Sequence, residues 1–104
     1  MTVEQIKNDL KDIQYYYANK EAFDIGAKEI GSNYVITLAE KYNKVIRNAP
    51  PRLYDLYVRM YLMNKTQETV GIETNFSWQT IALNCKKLMN FLVEELTKQE
   101  NINA

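Results

Sequence analysis

The chain has 104 residues, 46% hydrophobic and 25% charged, which is the composition of an ordinary globular domain. It carries 13 basic and 13 acidic side chains, balanced within each half, so it lacks the basic excess that is typical of nucleic-acid-binding domains. Three glycines and two prolines are too few for a fold of many strands and turns, and one cysteine excludes an internal disulfide bond.

A helix with an apolar seam is predicted over residues 3–19. It begins at a capping box, in which Thr2 and Gln5 exchange hydrogen bonds between side chain and backbone. Apolar side chains then recur at alternating intervals of three and four residues, which places them along one face of the helix. This face can pack against its own chain or against a second copy as a short coiled coil, and we expect a homodimer. The residues of the seam are Val3, Ile6, Leu10, Ile13 and Tyr17.

The next part of the chain predicts a connection and a second helix. Residues 20–31 predict a packed connection with one helical turn, because two glycines interrupt the apolar pattern. Ser32 or Asn33 then caps a helix that ends before Pro50, because neither proline nor the residue preceding it continues a helix readily. The predicted halves are an N-terminal helical half over residues 1–49, which carries the dimer seam, and a second half over residues 50–104.

The second half predicts a helix from Pro51, a short helix capped by Thr66, a turn at Asn75 and a long helix capped by Ser77. Asparagine tolerates the left-handed backbone conformation that ends many helices. We therefore expect an all-α fold of about five helices, in which a helical pair precedes a helix-turn-helix unit. Residues 99–104 are expected to be frayed.

The segment LYDLYVRMYLMNKTQETVG consists of a bulky helix, a short polar break and a second helix that ends at the small residue Gly71. It is followed by Asn75 in the turn and by Ser77 and Thr80 at the start of the last helix. In these residues the chain from Pro51 to Leu96 resembles sigma-factor region-four helix-turn-helix domains. Among these it resembles small regulators of phages and conjugative elements of Gram-positive bacteria, the ArpU-like group included. The resemblance implies that the two helices cross closely at Gly71.

The resemblance also implies a transcriptional regulator of a mobile genetic element that binds double-stranded DNA, with contact to RNA polymerase through its sigma-like half. On the last helix, Gln79, Lys86 and Asn90 lie opposite the core positions. Glutamine and asparagine bind adenine, and lysine binds guanine or phosphate, while an apolar side chain contacts the thymine methyl group. The expected DNA-binding residues are Ser77, Trp78, Gln79, Thr80, Leu83, Lys86, Lys87 and Asn90.

The alternative function is that of a protein-binding module with a degenerate helix-turn-helix, which acts as an inhibitor or assembly factor. Zero net charge favours it, and so do Ala82 and Asn84, which stand where the family often has lysine or arginine. An apolar flank formed by Trp78, Ala82, Met89 and Val93 is also expected to pack on the N-terminal helices or to bind a partner.

An enzyme is not expected. The chain contains no histidine, which is the commonest general base and metal ligand, and we expect no cofactor. Cys85 lies on the core side of the last helix, where a structural thiol is expected. The amino end has no apolar signal segment and no apolar run is long enough to span a bilayer, so we expect a cytoplasmic protein that does not enter a membrane.

Overall fold

The computed structural model describes residues 1–30 and 33–103, with the backbone alone for residues 27–30 and 102–103. In these ranges all regular structure is helical, which confirms the all-α class, and there are six helices where about five were expected. The fourth helix continues as a π-helical segment, Val58–Leu62. The helices are α1 (Val3–Ala18), α2 (Lys20–Ile30), α3 (Tyr34–Ile46), α4 (Pro51–Tyr57), α5 (Gln67–Thr74) and α6 (Trp78–Asn103).

The predicted helix caps are present. Thr2 and Gln5 form the capping box of α1, with distances of 3.1 and 2.8 Å between donors and acceptors. The side chain of Asn33 accepts from two backbone amides of α3, while Ser32 lies outside the described residues. Thr66 caps α5, and its hydroxyl accepts from the backbone of the first turn at 3.1 Å. These caps satisfy backbone donors that no intrahelical bond reaches.

Helix α2 corrects the expectation of a mostly irregular connection. Its 11 residues include Gly26, at which the glycine lowers helix stability but does not end the helix. Tertiary contacts to α1 compensate for this weak local preference. The ring of Phe23 packs edge-on against Tyr15 and Tyr16, and the Tyr16 hydroxyl donates to Asp24 at 2.9 Å. The second glycine of this stretch, Gly31, lies outside the described residues.

The end of α6 also differs from the prediction. The helix is 26 residues long and continues to Asn103, although fraying was expected from residue 99. Leu96 is fully buried, and the amino terminus of Met1 lies 3.1 Å from a carboxylate oxygen of Glu100. The packing of α1 against this end of α6 therefore holds the last turns. The final residue, Ala104, lies outside the described residues.

The apolar seam of α1 is buried within the chain. The side chains of Ile6, Leu10 and Ile13 are almost fully buried, because α3, α6 and the π-helical segment pack around α1. Tyr17 is half-buried and its hydroxyl accepts from the side chain of Asn43 at 2.8 Å. The expectation that this seam binds a second copy is therefore wrong for its three central side chains. Of the five seam residues, Val3 alone is exposed, and a homodimer through other surfaces stays a prediction.

The π-helical segment Val58–Leu62 is a feature that helical periodicity did not predict. One extra residue in the turn lets the Met63 amide donate to the carbonyl of Val58 at 2.9 Å. Gln14 of α1 forms hydrogen bonds on two sides of this turn. Its side-chain amide donates to the carbonyl of Met60 at 3.2 Å, and its backbone carbonyl accepts from the side chain of Asn64 at 3.2 Å.

Two tyrosines in the core have the same burial but different hydrogen bonding. Both Tyr42 and Tyr57 are fully buried, and desolvation raises the pKa of each phenol. The Tyr42 hydroxyl donates to a carboxylate oxygen of Asp9 at 2.7 Å. The Tyr57 hydroxyl has no hydrogen-bond partner among the described residues. A buried hydroxyl without a partner opposes folding, whereas one bound to a carboxylate favours it.

Removing these two hydroxyls should change stability in opposite directions. We expect Tyr42→Phe to lower the free energy of unfolding by about 1–2 kcal/mol, because it removes a hydrogen bond to a charged group. We expect Tyr57→Phe to raise it by about 1 kcal/mol, because it removes a desolvated polar atom. Urea unfolding of both variants measures the difference. Equal losses in the two variants would show that an acceptor reaches the Tyr57 hydroxyl.

The crossing of α5 and α6 leaves more room at Gly71 than the resemblance implies. A Cβ atom at this position would lie 3.4 Å from the Phe76 carbonyl oxygen and 4.0 Å from Cγ1 of Ile81. Both distances are ordinary van der Waals contacts, so a methyl group fits without moving either helix.

Gly71→Ala should therefore stabilise the protein. Alanine in a helix interior is favoured over glycine by about 0.8–1.0 kcal/mol, and the gain is expected to be slightly smaller here because of the nearby carbonyl. Gly26→Ala in α2 is a matched control, since a Cβ there meets no atom of the described residues within 4 Å. Thermal unfolding should show a higher Tm for both variants. A lower Tm for Gly71→Ala alone would show that the helices cross more tightly.

Candidate nucleic-acid interface

Helices α5 and α6 are joined by a three-residue connection whose first residue has a left-handed backbone conformation. Asn75 ends α5 with φ 61° and ψ 24°, as predicted for this turn residue. Ser77 then caps α6, and its hydroxyl accepts from the Thr80 amide at 3.2 Å. Val70 and Ile81 are buried on the two sides of the connection. The turn therefore projects the first residue of α6 directly into solvent.

One face of α6 is exposed along its first half, as the helical spacing predicted. Gln79, Lys86 and Asn90 are exposed, together with Leu83 at 52%. The opposite face enters the core. Because the four exposed side chains are spaced by four, three and four residues, they form one continuous line, which we call the polar stripe. The core face consists of Ile81, Asn84, Leu88, Leu92 and Leu96.

The charge along this half of α6 is positive. Lys86 and Lys87 are exposed and form no ion pair within the described part of the chain. The first turn contains no acidic residue, and the first carboxylate along the helix belongs to Glu94. The charged side chains of residues 78–93 are therefore all basic, although the whole chain is neutral. Lys87 borders the polar stripe, because it lies four residues after Leu83 and therefore only about 40° from it around the helix.

The remaining predicted site residues lie elsewhere. The hydroxyls of Ser77 and Thr80 are 3.0 Å apart and serve the helix cap, and the Thr80 side chain is half-buried. Trp78 is 73% exposed but lies well away from the polar stripe. Asn84 is 5% exposed and belongs to the core, so the position that the resemblance assigns to lysine or arginine does not face solvent here.

A second surface lies beside the turn. Ile72 of α5 is 76% exposed and, with Trp78 and the half-buried Phe76, lines an open apolar groove. The apolar flank expected on α6 is thus divided, because Met89 and Val93 pack against the core while Trp78 stays in solvent. Exposed apolar side chains grouped in this way are typical of contact surfaces.

Arg52 is a functional candidate that the sequence pattern did not reveal. Its guanidinium carbon lies 4.8 Å from the centroid of the Phe76 ring, which is a cation–π contact between the start of α4 and the turn before α6. The two residues are far apart in sequence and share no helical spacing, so no local signal connects them.

A small ion-pair network holds α5 in place. Glu73 accepts from Arg59 at 3.0 Å and from Lys65 at 2.5 Å, and Arg59 also binds Asp55 at 2.8 Å. The hydrogen bond from Lys65 is the main cause that lowers the pKa of the Glu73 carboxyl. The side chains of Arg59 and Lys65 are thus paired with carboxylates and are less available to an anionic ligand than Lys86 or Lys87.

The chain matches no protein-family model, no curated protein and no solved structure. Membership of the region-four family therefore stays a prediction based on the resemblance. Among the described residues, no three His, Cys, Asp or Glu side chains are grouped so that they could hold a metal ion. No helix in the described ranges has the length and apolar character needed to span a membrane.

The network around Glu73 should contribute to stability in a pH-dependent way. Because the pKa of Glu73 is lowered in the folded protein, its contribution is present above the ordinary carboxyl pKa and is lost as the pH falls through the lowered value. Glu73→Gln should lower the Tm at pH 7 and leave it nearly unchanged at about pH 2. Glu68→Gln, on the same helix but outside the network, is the control. A Tm difference that persists in acid would contradict an electrostatic origin.

Proposed function

We propose that this protein binds double-stranded DNA, with the first half of α6 in the major groove, and regulates transcription from a mobile genetic element. The carrying observation is the exposed polar stripe with Lys86 in it and Lys87 at its border, neither in an ion pair within the described residues, on a helix that follows a tight turn at Asn75. The regulatory role, and contact with RNA polymerase through the sigma-like half, come from the resemblance and belong to the same proposal.

The size of the stripe supports this placement. From Gln79 to Asn90 the helix rises roughly 16 Å, at 1.5 Å per residue. The major groove of B-DNA is about 12 Å wide and accommodates an α-helix. Because base pairs are about 3.4 Å apart along the DNA axis, this length of helix covers about five base pairs. Gln79 is suited to adenine and Lys86 to guanine or a phosphate, while Leu83 can contact a thymine methyl group.

The charge distribution predicts the character of the binding. A neutral protein with few basic side chains beside the polar stripe neutralises few phosphates, so non-specific affinity should be low. With about three phosphate contacts, the slope of log K against log salt should be close to −3. Specificity must therefore come mainly from contacts to the bases, which the stripe provides.

A protein-binding function is the second candidate, and the apolar groove favours it. Ile72 and Trp78 are both more than 70% exposed, and tryptophan is enriched in the centres of protein interfaces. In that case the turn would serve as an anchor for a partner, and the polar stripe would have no role in binding.

Lys86→Glu should abolish DNA binding and leave the fold intact. The change removes one favourable contact to phosphate or guanine and adds a repulsion, so we expect a loss of more than tenfold in affinity. Fluorescence anisotropy with random-sequence duplexes at several salt concentrations measures it. Gln79→Ala should act differently and relax the sequence preference found by selection from a random duplex library, with less effect on general affinity.

The control for this experiment is Lys41→Glu. Lys41 is exposed on α3 and lies beside Gln5 and Asp9 of α1, at a distance from the polar stripe. The Lys41→Glu variant should bind DNA nearly as well as the wild type. Ile72→Ser should also retain DNA binding, since Ile72 is not on α6. Absence of any salt-sensitive DNA binding by the wild type would contradict the DNA proposal and favour the protein-binding function.

A further inference from the structure

Arg52 carries a positive charge that no carboxylate of the described residues neutralises. It lies in the first turn of α4, its side chain is exposed, and its contact within the described residues is the face of the Phe76 ring. The other arginine of this region, Arg59, is bound by Asp55 and Glu73. The two arginines therefore differ in what they can bind, although both are close to α5.

The position of Arg52 is set by the turn before α6. Phe76 immediately precedes Ser77, the cap of α6, so the guanidinium is held at the amino end of the proposed reading helix. A ring beneath a guanidinium restricts its movement but leaves its N–H donors at the edge of the plane. Such a group is arranged in advance for the two parallel hydrogen bonds that a phosphate accepts.

We propose that Arg52 is a phosphate-contacting residue of the DNA interface, positioned by Phe76. This inference rests on the proposed function. Lys86 lies nine residues beyond Ser77, which is roughly 14 Å along the helix and about four base-pair steps along DNA. Arg52 at one end and Lys86 with Lys87 at the other would bind the backbone on both sides of Gln79 and Leu83. Contacts of this kind fix the register in which base-reading side chains meet the bases.

The contact should affect all DNA sequences alike. A phosphate contact carries no sequence information, so Arg52→Ala should weaken binding to specific and random duplexes by the same factor. It should also reduce the steepness of the salt dependence by about 0.9, the value for one released counterion per phosphate. A loss of about tenfold in affinity is expected for one charge-assisted contact.

The test compares Arg52→Ala, Arg52→Lys and the control Lys41→Ala in anisotropy titrations of a random-sequence 25-base-pair duplex at four salt concentrations. Thermal unfolding first establishes that all variants are folded, which is expected because both side chains are exposed. Arg52→Ala should lose affinity and salt slope, and Lys41→Ala should lose neither. Arg52→Lys should keep the slope but bind more weakly than the wild type, because an ammonium group does not form the same paired hydrogen bonds.

The outcomes separate this inference from the function on which it rests. If the wild type binds DNA and Arg52→Ala keeps the slope of Lys41→Ala, the phosphate contact is overturned while DNA binding stands. If Arg52→Lys binds as tightly as the wild type, the paired hydrogen bonds from the guanidinium to the phosphate are overturned. If the wild type shows no salt-sensitive binding, both the proposed function and this inference fail.

Discussion

Burial of the apolar seam of α1 is the interaction on which the rest of the structure depends. Ile6, Leu10 and Ile13 contact α3 from the first half of the chain and α6 and the π-helical segment from the second. One core therefore contains residues from both halves. Because this core occupies the inner face of α6, the outer face of that helix is left to solvent. The presentation of the polar stripe is thus a consequence of packing at the opposite side of the helix.

Local signals in the sequence located most helix ends, because a cap depends on residues within four positions of one another. Thr2, Thr66 and Asn75 are examples. Helix α2 and the π-helical segment were missed, because each is held by side-chain contacts to α1 that lie beyond the spacing of one helical turn. The spacing of the seam correctly showed that Ile6 and Leu10 need burial, but no spacing tells whether the partner is the same chain or a second copy.

At the candidate interface too, local spacing predicted some features, and contacts between separate helices decided others. The exposure of Gln79, Leu83, Lys86 and Asn90 followed from the rotation of 100° per residue along α6, which the sequence alone provides. The burial of Asn84 was missed although its spacing from Ile81 and Leu88 places it on the core face, because the resemblance assigned a lysine or arginine to this position. The pairing of Arg52 with Phe76 depends on how α4 packs beside α6. Contacts between distant segments decide which charges are free, and composition cannot show this.

The π-helical segment between α4 and α5 has a consequence for how this protein tolerates changes of length. A π turn contains one residue more than an α-helical turn, so a single deletion within residues 58–62 would restore regular α-helix. Because the π turn holds its extra residue within a single turn, the residues before and after such a deletion would keep nearly the same rotation and rise relative to α4. The change would be confined to the turn itself, where the Met60 carbonyl accepts from the side-chain amide of Gln14, and α5 and α6 would keep their places in the core. A one-residue deletion in this segment should therefore be tolerated better than one within α5 or α6, where it would rotate every later residue of the helix by about 100°.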